Sequence, residues 1–312
     1  MKPFYRIFIF LFGLTIFSSC AKQSDPLSSP TIALVMKASS NPFFARMEEG
    51  ARKAADSLKI RLLVGSITQE TDINQQIDIV ENMVIQGVKA ILIAPADSKA
   101  IVNVLKKAQE RGIVIINIDN RIDPETAQAV GLNINCYVGV DNEEGGRMAG
   151  EYLVRLLGGT GKVAMLEGIR GVDNAEARKR GFLEAIRGTH IELVASQSAN
   201  WAQDQGLDVF SNILQANPEI TGLFCANDMM ALGAIQAINQ AGKSGKIFVT
   251  SYDNLKAAQI AIKQDKLHAT IEQHPETMGY EGVCIADSIL KEEEVGIEKL
   301  VKLDLITKKN IQ

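Results

Sequence analysis

Thr31-Ile32-Ala33-Leu34-Val35-Met36, then Lys37-Ala38-Ser39-Ser40, then Asn41-Pro42-Phe43-Phe44, is the stretch on which the reading of the fold turns. A short continuous apolar run between polar linkers suits a strand covered on both faces of a parallel sheet. Asn41 then stands where a helix N-cap belongs and Pro42 at the first helical position. Open α/β sheets bind ligands beyond the carboxyl ends of their strands. The rings of Phe43 and Phe44 therefore fall at a sheet edge, one placed to cap the local core and the other to face a cleft.

Working outward, apolar runs and amphipathic segments alternate almost without a break. Strands are predicted near Thr31–Met36, Arg61–Gly65, Lys89–Ala94, Ile113–Ile118, Cys136–Val140, Lys162–Glu167, Glu192–Ser196, Gly222–Ala226, Lys246–Ser251 and Ala269–Glu272. Helices are predicted at Phe43–Ser57, Asp72–Gln86, Ala100–Arg111, Gly145–Leu157, Asn174–Arg187 and Met229–Ala241. This order implies α/β architecture with helices on both faces of parallel sheets. Roughly ten strands suit two sheets of five or six better than one small doubly wound sheet. Asn120–Asn135 is the longest stretch without clear periodicity.

The N-terminus reads as an export signal. Lys2 and Arg6 precede the apolar run Ile7–Phe17 and then Ser18-Ser19-Cys20. A basic start, a short apolar stretch and small residues before a cleavage point have this meaning, and the run is about half the length a membrane-spanning helix needs. Phe17-Ser-Ser-Cys20 resembles a bacterial lipobox, in which the cysteine is acylated. Residues 1–20 are then a lipoprotein signal peptide, and 21–30, rich in Ser, Pro, Asp and Gln, a flexible tether.

Composition narrows the function. With 46% apolar residues the chain has enough for two cores, and its net charge of −4, with no basic stripe, argues against nucleic acid as a partner. Beyond Cys20 only Cys136, Cys225 and Cys284 remain, at wide spacing, and His190, His268 and His274 are dispersed. Neither a disulfide framework nor a zinc site is expected. Gly158-Gly-Thr-Gly-Lys162 is not a phosphate loop, because Leu156 and Val163 occupy positions that need glycine and a hydroxyl; its glycines are those that end a helix. Catalytic motifs are absent.

Polar residues recur at the ends of the predicted strands: Asp119-Asn120, Asn227-Asp228, Asp253 after Tyr252, and Gln273. Asp228 alone would read as an N-cap, but four recurrences at one topological position point to one cleft. Set in order with Asn41-Pro-Phe-Phe44, Gly139-Val-Asp-Asn142, Gly145-Gly146, Glu176-Ala-Arg-Lys-Arg-Gly181, Ala199-Asn-Trp201, Met230-Ala-Leu-Gly233 and Ala269-Thr-Ile-Glu-Gln273, these segments resemble the sugar-binding proteins of bacterial ABC importers, in the ribose- and allose-binding group. The resemblance runs from about Thr31 to Lys308. Repressors of the same fold begin with a DNA-binding helix-turn-helix, whereas this chain begins with an export signal.

The resemblance implies a type I periplasmic binding protein: two doubly wound parallel-sheet domains joined by a three-crossing hinge. It places the crossings near Val140/Asp141, Gln273/His274 and Lys302/Leu303, so that the N-terminal domain comprises 31–140 plus 274–302 and the C-terminal domain 141–273 plus 303–312. It implies a monosaccharide between Phe43 and Phe44 on one side and Trp201 on the other, with Lys37, Asn41, Asp119, Asn120, Arg178, Asn227, Asp253 and Gln273 as polar contacts. Lys179 and Arg180 are expected on a solvated face. Lys37 and Trp201 favour the allose-like branch, Asn120 differs from both branches, and an aldohexose, a pentose and a ketohexose stay open.

Hinge closure would capture the sugar, and the closed form, a monomer without cofactor, would dock on a permease driven by a separate ATPase. Presentation to a chemoreceptor or sensor kinase is the alternative that the residues leave open. An exported glycosidase would need a carboxylate acid/base pair; Asp119 and Asp253 are the candidates, and Arg178 is expected to keep both ionised. The chain is therefore not read as an enzyme. Its location is the periplasm or the cell surface, held to a bacterial membrane by lipid on Cys20. Cys20→Ser should abolish incorporation of labelled fatty acid and release the protein from the membrane fraction; lipid labelling that persists would refute the anchor.

Overall fold

A computed structural model describes residues 30–311. The segments expected to be a signal peptide and tether, with Cys20, lie outside the described residues. The first half runs β1 (Thr31–Ala38), α1 (Pro42–Leu58), β2 (Arg61–Ile67), α2 (Ile73–Ile85), β3 (Ala90–Ile93), α3 (Val102–Gln109), β4 (Val114–Ile118), α4 (Pro124–Val130) and β5 (Cys136–Gly139). The second runs α5 (Asn142–Leu157), β6 (Thr160–Glu167), α6 (Asp173–Ile186), β7 (His190–Ser198), α7 (Gln203–Ala216), β8 (Gly222–Cys225), α8 (Asp228–Gln240), β9 (Phe248–Tyr252), α9 (Lys256–Lys263) and β10 (Ala269–Glu272). The chain then returns through α10 (Pro275–Leu290) and β11 (Glu298–Leu300) and ends with β12 (Asp304–Thr307).

Two six-stranded sheets result, ordered β11-β5-β4-β3-β1-β2 and β12-β10-β9-β8-β6-β7. Every pair is parallel except β10 with β12. The chain passes between sheets at 139–142, 272–275 and 300–304. In each sheet the order reverses beside the first strand (β1 or β6), the topological switch where doubly wound sheets leave a crevice.

β1 shows why the opening stretch is apolar throughout. Ile32, Leu34 and Met36 join the core under α1 and α10, while Ala33 and Val35 join the core of the opposite face. Asn41 caps α1, its Oδ1 accepting from the Phe43 N–H at 3.1 Å, with Pro42 beginning the helix. The stretch without periodicity, Asn120–Asn135, contains α4. Asp123 caps this short helix and Gly131, at φ 69°, ends it; seven residues with one buried side chain carry little apolar pattern. Strands β11 and β12 were likewise not expected: β11 is exposed along its length and shows no alternation of burial.

The helix pairs pack through glycines. A Cβ on Gly181 of α6 would lie 1.9 Å from the Glu143 carbonyl oxygen, and one on Gly146 of α5 2.2 Å from that of Arg178. Gly50 with Gly279 joins α1 to α10 in the same way. The α5–α6 contact matters for function, because it brings Arg178 over the end of the sheet. Gly181→Ala is therefore expected to destabilise the protein by about 1–3 kcal/mol, the usual range for overpacking, read as a lower urea midpoint. Gly87→Asn, at φ 74° with open space around it, should cost much less.

Candidate functional site

Carboxyl ends of both sheets face one cavity. Asp119 follows β4 and donates its N–H to Val138 O at 2.9 Å; Asp253 follows β9 and donates to Ile271 O at 2.8 Å. The two aspartates occupy equivalent positions in the two sheets. Both have positive φ, 62° and 113°, as has Trp201 at 65°, a conformation that costs free energy and concentrates at functional sites.

Arg178 organises the second sheet's side. Its Nε donates to Asn142 Oδ1 at 2.8 Å, Nη1 to Ala226 O at 2.8 Å and Nη2 to Gln273 Oε1 at 3.1 Å. The guanidinium stacks 3.7 Å from the centroid of the Tyr252 ring and lies 3.8 Å from Asp253 Oδ1. Gln273 completes the chain by donating to Asp253 Oδ1 at 2.6 Å. A guanidinium has five N–H groups, so two remain beyond these three bonds.

From the first sheet, Lys37 Nζ lies 3.6 Å from Asp119 Oδ2 and 5.9 Å from the Trp201 ring centroid. Phe43 and Phe44 meet edge to face at 5.2 Å. Trp201 lies flat against Gly168, where a Cβ would come within 2.0 Å of the indole. Lys37, Asn41, Phe43, Phe44, Asp119, Arg178, Trp201, Asn227, Asp253 and Gln273 all line one cavity of about 270 Å³, including the part open to solvent. Ten of the eleven residues proposed from the sequence thus converge.

Asn120 does not. Its side chain turns away to donate to Pro95 O at 3.0 Å and Ser98 Oγ at 3.3 Å, and to accept from the Asn174 N–H at 3.2 Å. The expectation that it contacts ligand is corrected, because the side chain is fully buried among Pro95, Ser98 and Asn174 and does not line the cavity. Asp228 is not the N-cap of α8 either. Asn227 is, with Oδ1 accepting from Met230 N at 2.9 Å and Nδ2 donating to Trp201 O at 3.2 Å. Two lining residues were missed, Glu70 and Asn174. Glu70 follows β2, the same strand-end rule that found the others, and Asn174 lies one helical turn before Arg178, hence on its face.

Arg180 pairs with Glu143 at 2.9 Å on the solvated face, as expected, whereas Lys179 is half-buried and pairs at 3.1 Å with the buried Glu167, so it lies outside the cavity but not on an open face. The Asp253 carboxyl is also subject to a force the sequence did not show. Burial lifts its carboxyl well above the usual range, against the pull of Arg178; desolvation outweighs one cation when both groups leave water. Burial raises Glu70 as well, opposed by Lys37 and the Asn41 amide.

Beneath the cavity, Asp228 accepts from Leu255 N at 2.7 Å, Thr270 Oγ1 at 2.8 Å and Ser251 Oγ. Burial nevertheless pushes its carboxyl up to about 7. The folded state then holds a proton that the unfolded chain releases near pH ~4. Stability from this group is full below about pH 4 and is lost as pH rises through about 7. Asp228→Asn should therefore shrink the difference in unfolding free energy between pH 5 and pH 7.5, measured by urea titration at each pH.

Two sheets closing their carboxyl ends on aromatic faces and a ring of polar side chains define a clamp for one small polar molecule. The chain belongs to the periplasmic binding protein domain family, whose match spans residues 32–294. It is a substrate-binding transport protein and not an enzyme. The D-ribose/D-allose-binding protein of Pseudomonas aeruginosa is 40% identical over 272 residues, which cover 86% of this chain and 85% of that protein. The ribose import binding protein of Escherichia coli is 35% identical over 290 residues, 93% of this chain and 95% of that one. A solved ABC transporter periplasmic solute binding protein from Actinobacillus succinogenes, with bound D-allose, superposes with a TM-score of 0.85 at 41% identity, covering 90% of this chain and 98% of that chain.

Proposed function

We propose that this protein captures a neutral monosaccharide of the allose/ribose kind by hinge closure and hands it to an ABC permease with a separate ATPase. The observation that carries the reading is the single cavity that joins Phe43, Phe44 and Trp201 to Asp119, Asp253 and Arg178. Pyranose C–H faces would stack on the rings. Vicinal hydroxyls would donate to the two aspartates and accept from the two remaining N–H groups of Arg178, with Lys37, Asn41, Asn227 and Gln273 completing the edge. Each hydroxyl taken out of water needs such a partner, since an unpaired buried polar group costs about 1–3 kcal/mol.

The domains are 31–140 plus 274–302 and 141–273 plus 303–312, and a sugar touching both favours the closed form, because only that form offers both halves of the site. The solved relative with bound D-allose supports the allose-like branch, and the D-ribose/D-allose-binding relative supports either sugar. The departure at Asn120 carries no weight against it, since that side chain has turned from the cavity. The mature protein is a monomer in the periplasm or at the cell surface, anchored through lipid on Cys20.

A thermal-shift screen of the domain beginning at Thr31, against D-allose, D-ribose and other neutral monosaccharides, tests the reading. A sugar at 100 times its Kd should stabilise the protein by about 2.7 kcal/mol and shift the Trp201 emission saturably. Arg178→Ala and Asp119→Ala should weaken binding about 30-fold or more, the loss expected when one partner of a buried charged hydrogen bond is removed. Lys179→Ala and Arg180→Ala should change it little. Equal losses in all four variants, or no stabilisation by any monosaccharide, would overturn the proposal.

A further inference from the structure

The first turn of α6 is capped across the cleft. Val172, at its N-cap position, has no side-chain hydrogen bond to the helix, and the leading N–H groups of any helix lack partners within it. Here Asp173 N donates to Ser98 Oγ at 3.1 Å and Asn174 N to Asn120 Oδ1 at 3.2 Å. Both acceptors come from loops at the carboxyl ends of β3 and β4, in the opposite sheet's domain. They are held within their own domain: Asn120 Nδ2 bonds Pro95 O and Ser98 Oγ, and Asn117 Nδ2 holds Asn120 O at 2.7 Å.

Asn174 is 3% exposed and lines the cavity. Its Oδ1 has no hydrogen-bond partner among the described residues. A buried amide oxygen left unpaired is costly, and this one lies against the space that a ligand would fill. When the domains part, the caps at Asp173 and Asn174 are lost together and Asn174 leaves the half of the cavity built by β1 and β4.

We infer that Asn174 reads one hydroxyl of the ligand, and that Ser98 and Asn120 form an interdomain latch that docks α6 and delivers Asn174 to that hydroxyl. The inference rests on the monosaccharide reading above. It separates two kinds of affinity residue. Asn174 contributes only where the matching hydroxyl is present. The latch contributes to closure and so to the affinity of every ligand by the same factor, because a ligand's apparent affinity scales with the population of the competent state.

Titration calorimetry of the mature chain with D-allose or D-ribose, whichever stabilises it, and with the mono-deoxy forms of that sugar tests both parts. Asn174→Ala should weaken the parent sugar about 10-fold. One deoxy sugar should bind wild type and Asn174→Ala alike, and Asn174→Asp, which keeps an acceptor, should retain wild-type discrimination against that sugar. Ser98→Ala should weaken the parent and every deoxy sugar by one common factor of about 2–10. Wild-type binding left unchanged in Asn174→Ala, or weakened equally for all deoxy forms, would overturn the role of Asn174. A loss in Ser98→Ala confined to one sugar would overturn the latch. Wild type that binds no monosaccharide would overturn the proposed function itself, a result distinct from either.

Discussion

Arg178 is 2% exposed, and much of the molecule is arranged so that burial of its guanidinium is tolerable. An isolated buried cation would cost several kcal/mol. Three side-chain and carbonyl acceptors, the Tyr252 ring and the Asp253 carboxyl surround it. These partners come from α5, the ends of β8, β9 and β10, and the second crossing between domains. The glycine contact between α5 and α6 holds Arg178 at that depth, since any side chain at Gly146 would press on its backbone. One charge thus ties helix packing, the sheet edge and the hinge into a single constraint.

Closure follows the same logic of polar groups that must find partners. Lys37 and Asp119 from one domain face Trp201 and Arg178 from the other, and no single domain holds both aromatic faces. Arg46 of α1 bonds Glu272 at 3.0 Å and Glu276 at 2.5 Å beside the second crossing, and His274 Nε2 meets Asp304 at 2.8 Å between the second crossing and the third. Charges near the hinge are therefore paired at its pivot, while those in the cavity keep capacity to spare. A hinge of this kind moves by rigid-body rotation about a few residues at the crossings. The crossings at Asp141 and His274 each begin a helix, α5 and α10, so backbone change there is confined to short loops.

The two aspartates show how a repeated fold makes a two-sided site. Asp119 and Asp253 leave corresponding strands, each with its N–H on the next strand and its φ in the left-handed region. Their surroundings differ. Asp119 faces the Lys37 ammonium, whereas Asp253 faces Arg178 and Gln273 and is raised by burial. A sugar has unlike edges, and this asymmetry suits it better than two equal halves would.

By itself the sequence determined the alternation of strands and helices, the two-sheet organisation and, through polar residues at strand ends and the Asn-Pro-Phe-Phe helix start at Asn41, part of the cavity lining. Lys37, Arg178 and Trp201 carry no such local signal and were placed only by the resemblance of the whole chain to a family of known fold. Where local pattern was weak, as in the seven-residue α4 and the exposed β11, the elements went unseen. Tertiary structure alone decided the fate of Asn120, which leaves a strand beside Asp119 yet spends its amide nitrogen on Pro95 and Ser98 of its own domain and its amide oxygen on Asn174 of the other. It also brought Glu70 and Asn174 to the cavity and buried the Asp253 carboxyl deeply enough to raise it above the usual range. Each depends on which groups from distant segments become neighbours and how much water they lose, quantities that exist only once the two domains have closed on each other.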